Sequence, residues 1–324
     1  MDVNPETLKA PFPWFGGKRR VAPLVWERFG HVDNFVEPFY GSGAVLLGAP
    51  RIHRTETVND ADGFVANFWR ALSKAPDEVA EHADWPVNEN DQHARHAWLV
   101  ERRKTLTAKL EGDPDYFDAK IAGWWVWGQC CWIGAGWCSG EGPWQVVDGQ
   151  LVHLGNAGQG VNRQLVHLGD AGRGVNRKRV AALREYFEAL ALRLCNVRVC
   201  CGDWERVCGP TPTVKLGLTA VFLDPPYADE ADRTKDLYAK DCGNVAHAVR
   251  EWAIEHGDDS RLRIALCGYE GEHAMPGAWE CVKWKTAGGY GSQGDDRGRE
   301  NAGRERIWFS PHCQQELSLF SFTA

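Results

Sequence analysis

The chain has 324 residues, with 44% hydrophobic and 25% charged residues and a formal net charge of −7. That length supports one large or two modest domains with a full core, and the composition excludes disordered and fibrous classes. The charge argues against a protein that coats nucleic acid nonspecifically, though not against an enzyme with a local basic groove. No apolar run approaches the roughly 18 residues of a membrane helix and the first residues lack a signal-peptide core, so a cytoplasmic protein without membrane contact is expected. The eleven cysteines include two adjacent pairs and no Cys-x-x-Cys, a pattern of reduced thiols rather than a disulfide framework. A zinc site from Cys195, Cys200, Cys201 and Cys208 fits no common ligand spacing, and no metal is expected.

In chain order, Pro11-Phe-Pro-Trp14-Phe-Gly-Gly17-Lys18 is a glycine-bearing loop ending in a cation, suited either to helix entry or to holding a carboxylate. A helix over about 19–28 follows. Asn34-Phe-Val-Glu37-Pro-Phe39-Tyr-Gly41-Ser-Gly43 and then 44–47 read as strand, glycine turn and helix, in which a bare backbone lets a cofactor approach the sheet edge. Glu56–Val58 reads as the next strand. Asp60 at its end is placed to accept hydrogen bonds from ribose hydroxyls, while Asp62 suits the cap of a helix over 63–72.

Residues 75–120 are polar and helical. The Trp- and Gly-rich stretch from Gly123 to Trp144 fits either a packed core or a surface on which aromatic rings meet nucleic acid. Gln150–Arg163 is then repeated as Gln164–Arg177 with two differences, Asn156/Asp170 and Gln159/Arg173. Two copies are too few for a solenoid and imply a tolerant surface hairpin or loop. Arg163, Arg173 and Arg177, within a local basic excess, are candidates for touching DNA phosphate. A helix over 180–194 leads to a strand over 197–200 that ends near Asp203.

The apolar run 218–223 reads as a buried strand that delivers Asp224-Pro225-Pro226-Tyr227 at its carboxyl end. Asp224 and the Pro225 carbonyl are two acceptors beside an aromatic face. That set suits a planar base with an amino group, whose nitrogen becomes nucleophilic when its N–H bonds are held. The same residues also make an ordinary strand-ending turn. A helix over 244–256, a strand over 262–266 and an antiparallel pair over 279–284 and 305–309 complete the chain.

Together, Pro13-Trp-Phe-Gly-Gly-Lys18, Phe35-Val-Glu-Pro-Phe-Tyr-Gly-Ser-Gly43, Asp60, Asp203 and Asp224-Pro-Pro-Tyr227 resemble the DNA adenine methyltransferases related to Dam, including phage-borne members. The resemblance covers roughly 1–75 and 195–310. It implies a class I S-adenosylmethionine-dependent methyltransferase fold of the α/β, Rossmann-like type, with a catalytic domain at 1–75 and 195–324 and a target-recognition insertion at 76–194. It implies S-adenosylmethionine as cofactor, with Lys18 and Glu37 on its methionine end, the Gly41–Gly43 turn beneath it, Asp60 on the ribose, Asp203 on its adenine amine, and Trp14, Gly17 and Phe39 in the same pocket. Asp224, Pro225, Pro226 and Tyr227 would hold and stack on a base flipped out of double-stranded DNA, in an orphan or restriction-linked enzyme with no obligatory protein partner. The Trp/Gly stretch and the duplication replace the Asn-Arg-Thr-x-Phe-Asn-Gly segment of the relatives. Methylation of cytosine's exocyclic amine, and an idle DNA-binding protein of the same fold, remain as alternatives.

Overall fold

The computed structural model describes residues 8–14, 17–132, 137–138, 144–147, 150–153, 177–227, 243–284 and 303–315. In chain order the elements are α1 (Ala22–Phe29), β1 (Asn34–Glu37), α2 (Ala44–Leu47), β2 (Thr55–Asp60), α3 (Gly63–Lys74), α4 (Pro76–Ala83), α5 (Glu89–Gly112) and α6 (Ala119–Cys131). They continue as β3 (Trp144–Val147), β4 (Gln150–His153), α7 (Arg177–Leu194), β5 (Val197–Cys201), α8 (Glu205–Cys208), β6 (Thr219–Leu223), α9 (Gly243–His256), β7 (Leu262–Tyr269), β8 (Glu280–Lys283) and β9 (Glu305–Phe309).

Seven strands form one sheet in the order β5-β2-β1-β6-β7-β9-β8. The five from β5 to β7 are parallel, and β9 runs antiparallel between β7 and β8. This is the sheet of a class I methyltransferase. The antiparallel strand near the C-terminus has the place that the sequence suggests. β3 and β4 make a separate antiparallel hairpin, with Val147 paired to Gln150, and so include the first residues of the first repeat copy. The rest of the duplication, including Arg163 and Arg173, lies outside the described residues, and Arg177 opens α7.

Successive residues of a strand face opposite sides, and here both sides are apolar. Phe35, Ala220, Phe222, Ala265 and Cys267 belong to the core on one face, whereas Val36, Val221, Leu223, Ile264 and Leu266 belong to the core on the other. Such strands need helices on both faces. The first face is covered by α1, α2 and α3, and the second by α8 and α9. The helices of the expected insertion extend the first core: Val79 of α4, Leu99 and Leu106 of α5, Trp125 and Trp127 of α6 and Phe187 of α7 are all buried in it. Of the two readings of the Trp/Gly stretch, residues 123–132 and 137–138 are mostly buried and pack into the core, with Trp127 donating to the Trp85 carbonyl at 2.8 Å and Trp137 to that of Trp125 at 3.0 Å. Trp85 itself is largely exposed.

Local chemistry explains the element ends. Asp62 accepts from Phe64 N at 2.8 Å and caps α3, Asn88 caps α5 through Asp91 N, and Asp118 caps α6 through Ile121 N. Each satisfies a backbone donor that the first helical turn leaves without a partner. Among the described residues, no helix is long and apolar enough to cross a membrane, the ten cysteines are free thiols, and no cluster of metal-ligating side chains occurs.

Candidate active site

The strand order reverses between β1 and β6, which lie side by side with their chain connections leaving in opposite directions along the sheet. A crevice opens outside the carboxyl ends of such strands, and ligands of open α/β sheets bind there. Glu37 ends β1, Asp60 ends β2, Asp203 follows β5, and Asp224 follows β6. The sequence-predicted acidic residues are therefore brought to one edge of the sheet.

The turn after β1 is built on glycine for a steric reason. Gly41 and Gly43 have φ of 47° and 63°, a region that L side chains rarely adopt. A Cβ on Gly43 would lie 2.6 Å from the Tyr40 ring, and one on Gly41 would lie 2.3 Å from Trp14 Nε1. The turn is pinned on both sides: Gly41 N donates to Asp60 Oδ2 at 2.9 Å, and Trp69 Nε1 donates to the Gly41 carbonyl at 2.8 Å. Trp14 thus packs on the turn itself, and its ring also meets Phe12 and Trp125. Gly17 precedes the single 3-10 turn that carries Lys18. Phe39 stacks on Trp204 with centroids 6.3 Å apart, and exposed Asp203 accepts from Glu205 N at 2.9 Å at the start of α8.

Two carboxyls at this edge are short of hydrogen-bond donors. Burial pushes the Glu37 acid well above the usual carboxylate range, outweighing the bond from Leu46 N at 3.3 Å. Burial, with the neighbouring charge of Asp62, pushes Asp60 up to about 7 despite donation from Gly41 N and Asp62 N. S-adenosylmethionine offers what these acids lack, an ammonium at its methionine end and hydroxyls on its ribose. On donor–acceptor chemistry the residues fit that cofactor.

The tetrapeptide follows directly on β6, whose pairing with β7 extends to Leu223 opposite Leu266. Pro225 is buried and Asp224, Pro226 and Tyr227 are half-buried. Lys18 Nζ lies 2.9 Å from Asp224 Oδ2 and donates to Tyr227 Oη at 3.0 Å. Burial alone would pull this ammonium down, but the charges of Asp224 and Glu305 more than offset it and raise it. Lys18, which the resemblance puts on the methionine end of the cofactor, has its ammonium against Asp224 here. Tyr227 Oη also lies 3.1 Å from Asp224 Oδ1 and 2.8 Å from Glu305 Oε2, and its ring meets that of Tyr269 edge-on at 4.6 Å.

Glu305 and Tyr269 are additions to the residues expected from sequence. Because β9 runs against its parallel neighbours, its first residue falls at the edge where theirs end, and Glu305 pairs in register with Tyr269. That position was the available signal, an acidic residue opening an apolar antiparallel strand.

Residues 14–112 match the family model of the D12 class N6 adenine-specific DNA methyltransferases. The match spans the glycine turn, Asp60 and helices α1 to α5, and ends before the tetrapeptide. No match is found among curated proteins. With the class I sheet, the paired glycine turn and tetrapeptide, and acids that suit the donor, the chain is an adenine-N6 DNA methyltransferase that uses S-adenosylmethionine as methyl donor, with residues 14–112 similar to the D12 class.

Proposed function

We propose that Asp224 and the Pro225 carbonyl accept the two N–H bonds of the target adenine's amine, and that Tyr227 stacks on the base after it leaves the duplex. The observation that carries this reading is the pairing of Lys18 with Asp224 at 2.9 Å beside the β1–β6 switch point. The ammonium holds the Asp224 carboxyl in place as an acceptor, and Pro226 stiffens the turn behind it. Acceptors aimed at the amine favour a pyramidal nitrogen with an available lone pair, and they oppose the positive charge that grows there during transfer. When bound, S-adenosylmethionine supplies an electrophilic methyl group on a sulfonium.

In this reading Glu37 takes the donor's ammonium, Asp60 its ribose and Asp203 its adenine amine, with Trp14, Gly17, Phe39, Gly41 and Gly43 shaping the pocket. Residues 76–194 act as a target-recognition insertion whose helices are rooted in the catalytic core, and Arg163, Arg173 and Arg177 meet phosphate on double-stranded DNA in the cytoplasm. Asp224→Ala should abolish turnover while keeping donor affinity within a few-fold, and Asp60→Ala should chiefly weaken donor binding. Calorimetric titration of donor into each variant, beside turnover on duplex DNA, separates the roles. Equal loss of donor affinity in both variants contradicts the assignment.

A further inference from the structure

Methylation leaves a proton to be removed from the target nitrogen, and the hydrogen-bond count around Tyr227 shows a route for it. Asp224 Oδ1, Tyr227 Oη and Glu305 Oε2 form a chain with separations of 3.1 and 2.8 Å. Lys18 donates to the phenol oxygen and faces the other Asp224 oxygen. The phenol has a single hydrogen to place between two carboxylates. When it points to Glu305, the closer of the two, the gap between Asp224 Oδ1 and Tyr227 Oη has no hydrogen, so the chain is one proton short. A chain in that state can accept one proton at Asp224 and pass one on to Glu305.

We propose that Glu305, reached through the Tyr227 hydroxyl, is the terminal acceptor of the proton released from the methylated amine. The inference rests on the role proposed above for Asp224. The amine nitrogen uses its lone pair to form the new bond to carbon, and the electrons of the broken carbon–sulfur bond stay on sulfur as a neutral thioether. One N–H bond then breaks, its electron pair returning to nitrogen and its proton passing to Asp224 Oδ1. Asp224 hands that proton to Tyr227 Oη as the phenol gives its own to Glu305 Oε2. Asp224 ends as a carboxylate, Tyr227 as a neutral phenol and Glu305 as the acid, so charge and hydrogen balance without a further reactant.

The surroundings of Glu305 suit an acceptor. Burial, and repulsion from Asp224 and Glu272, raise its acid, while Lys18 and the Tyr227 hydroxyl act in the opposite direction. From β7, the Cys267 thiol and the Tyr269 phenol also face the group. On its own strand, neighbouring Arg306 is engaged by Glu270 at 2.6 Å.

The test uses the full chain with Glu305→Gln and Tyr227→Phe, which keep the shape of each side chain and interrupt the relay at different atoms. Both variants should bind the donor like the parent, and both should lose on the order of a hundredfold in the single-turnover rate on duplex DNA. In the parent that rate should fall as pH drops through the Glu305 titration, and this fall should vanish in Glu305→Gln. Infrared difference spectra of the free protein supply a readout apart from activity, a titrating carboxylic-acid band present in the parent and missing in Glu305→Gln. Two variants with parental rates and pH profiles overturn the relay. An active Asp224→Ala overturns the underlying role of Asp224, whereas an inactive Asp224→Ala beside a fully active Glu305→Gln overturns the relay alone.

Discussion

Asp60 ties the glycine turn after β1 to the end of β2 and holds a carboxyl whose acid sits at about 7. Its ordinary value in an unfolded chain is about 4, so between these values the folded protein binds the extra proton. Folding stability of the donor-free protein should therefore decline as pH rises from about 4 to about 7 and level off above that. Asp60→Asn should remove that slope, stabilise the free protein above pH 7 and weaken donor binding, as expected where function is held at a cost to stability. Denaturant unfolding across pH checks the first two effects; an unchanged slope in the variant contradicts them. Gly43→Ala is a second test at this scale. The left-handed backbone disfavours alanine by about 1–2 kcal/mol, and the contact with Tyr40 adds to that. Donor affinity should fall together with stability, and a variant with parental donor affinity contradicts the role of the turn. Such residues were legible from sequence because backbone-limited glycines and strand-ending acids leave a local pattern. Glu305 was not: the strand it opens was expected, but only the folded sheet brings that first residue to the Tyr227 hydroxyl.

At the scale of elements, α7 returns the chain to the sheet and is fastened there by charge. Buried Arg193 donates to Glu56 Oε2 at 2.6 Å, to Glu56 Oε1 at 3.0 Å and to the Leu46 carbonyl at 3.0 Å. Leu46 N in turn donates to Glu37. Three sequence-distant elements, β2, α2 and α7, thus meet at one guanidinium. Arg193→Ala removes the guanidinium from buried Glu56 and leaves its carboxyl only His53, whose backbone N and Nδ1 lie 3.2 and 3.0 Å from Oε1, so it should cost about 3 kcal/mol, the lower end for breaking a buried pair. Removing Glu56 in the same chain should recover part of that loss, because it takes away the carboxyl that lost its guanidinium. Equilibrium unfolding of the two variants decides; a loss under about 1 kcal/mol, the range of exposed pairs, contradicts the account. Most strands and helices were legible from apolar runs and caps, as with 218–223 and the cap at Asp62. The destination of the tryptophans was not. Large rings among glycines carry no period that separates a core helix from a stacking surface, and only the packing of Trp125 and Trp127 against α3 and its neighbours decides it.

For the whole molecule, the tandem copy is the simplest probe of tolerance. Deleting Gln164–Arg177 puts Arg163 in the place of Arg177 at the start of α7, because both copies end in Asn-Arg. The fold should keep its melting temperature, and binding should lose part of its salt dependence if the lost arginines neutralise phosphate. A collapsed melting transition contradicts the reading of the repeat as a tolerant insertion. The sheet order, with its reversal beside β1, is what makes the motifs act together: residues scattered from Lys18 to Glu305 converge because the parallel strands end, and β9 begins, at one edge. The most direct measurement is to incubate duplex DNA with labelled donor and the parent or Asp224→Ala chain, digest the DNA to nucleosides and resolve them by mass. Labelled N6-methyladenine from the parent and none from Asp224→Ala is the predicted result; labelled methylcytosine without methyladenine, or full labelling by Asp224→Ala, would contradict it.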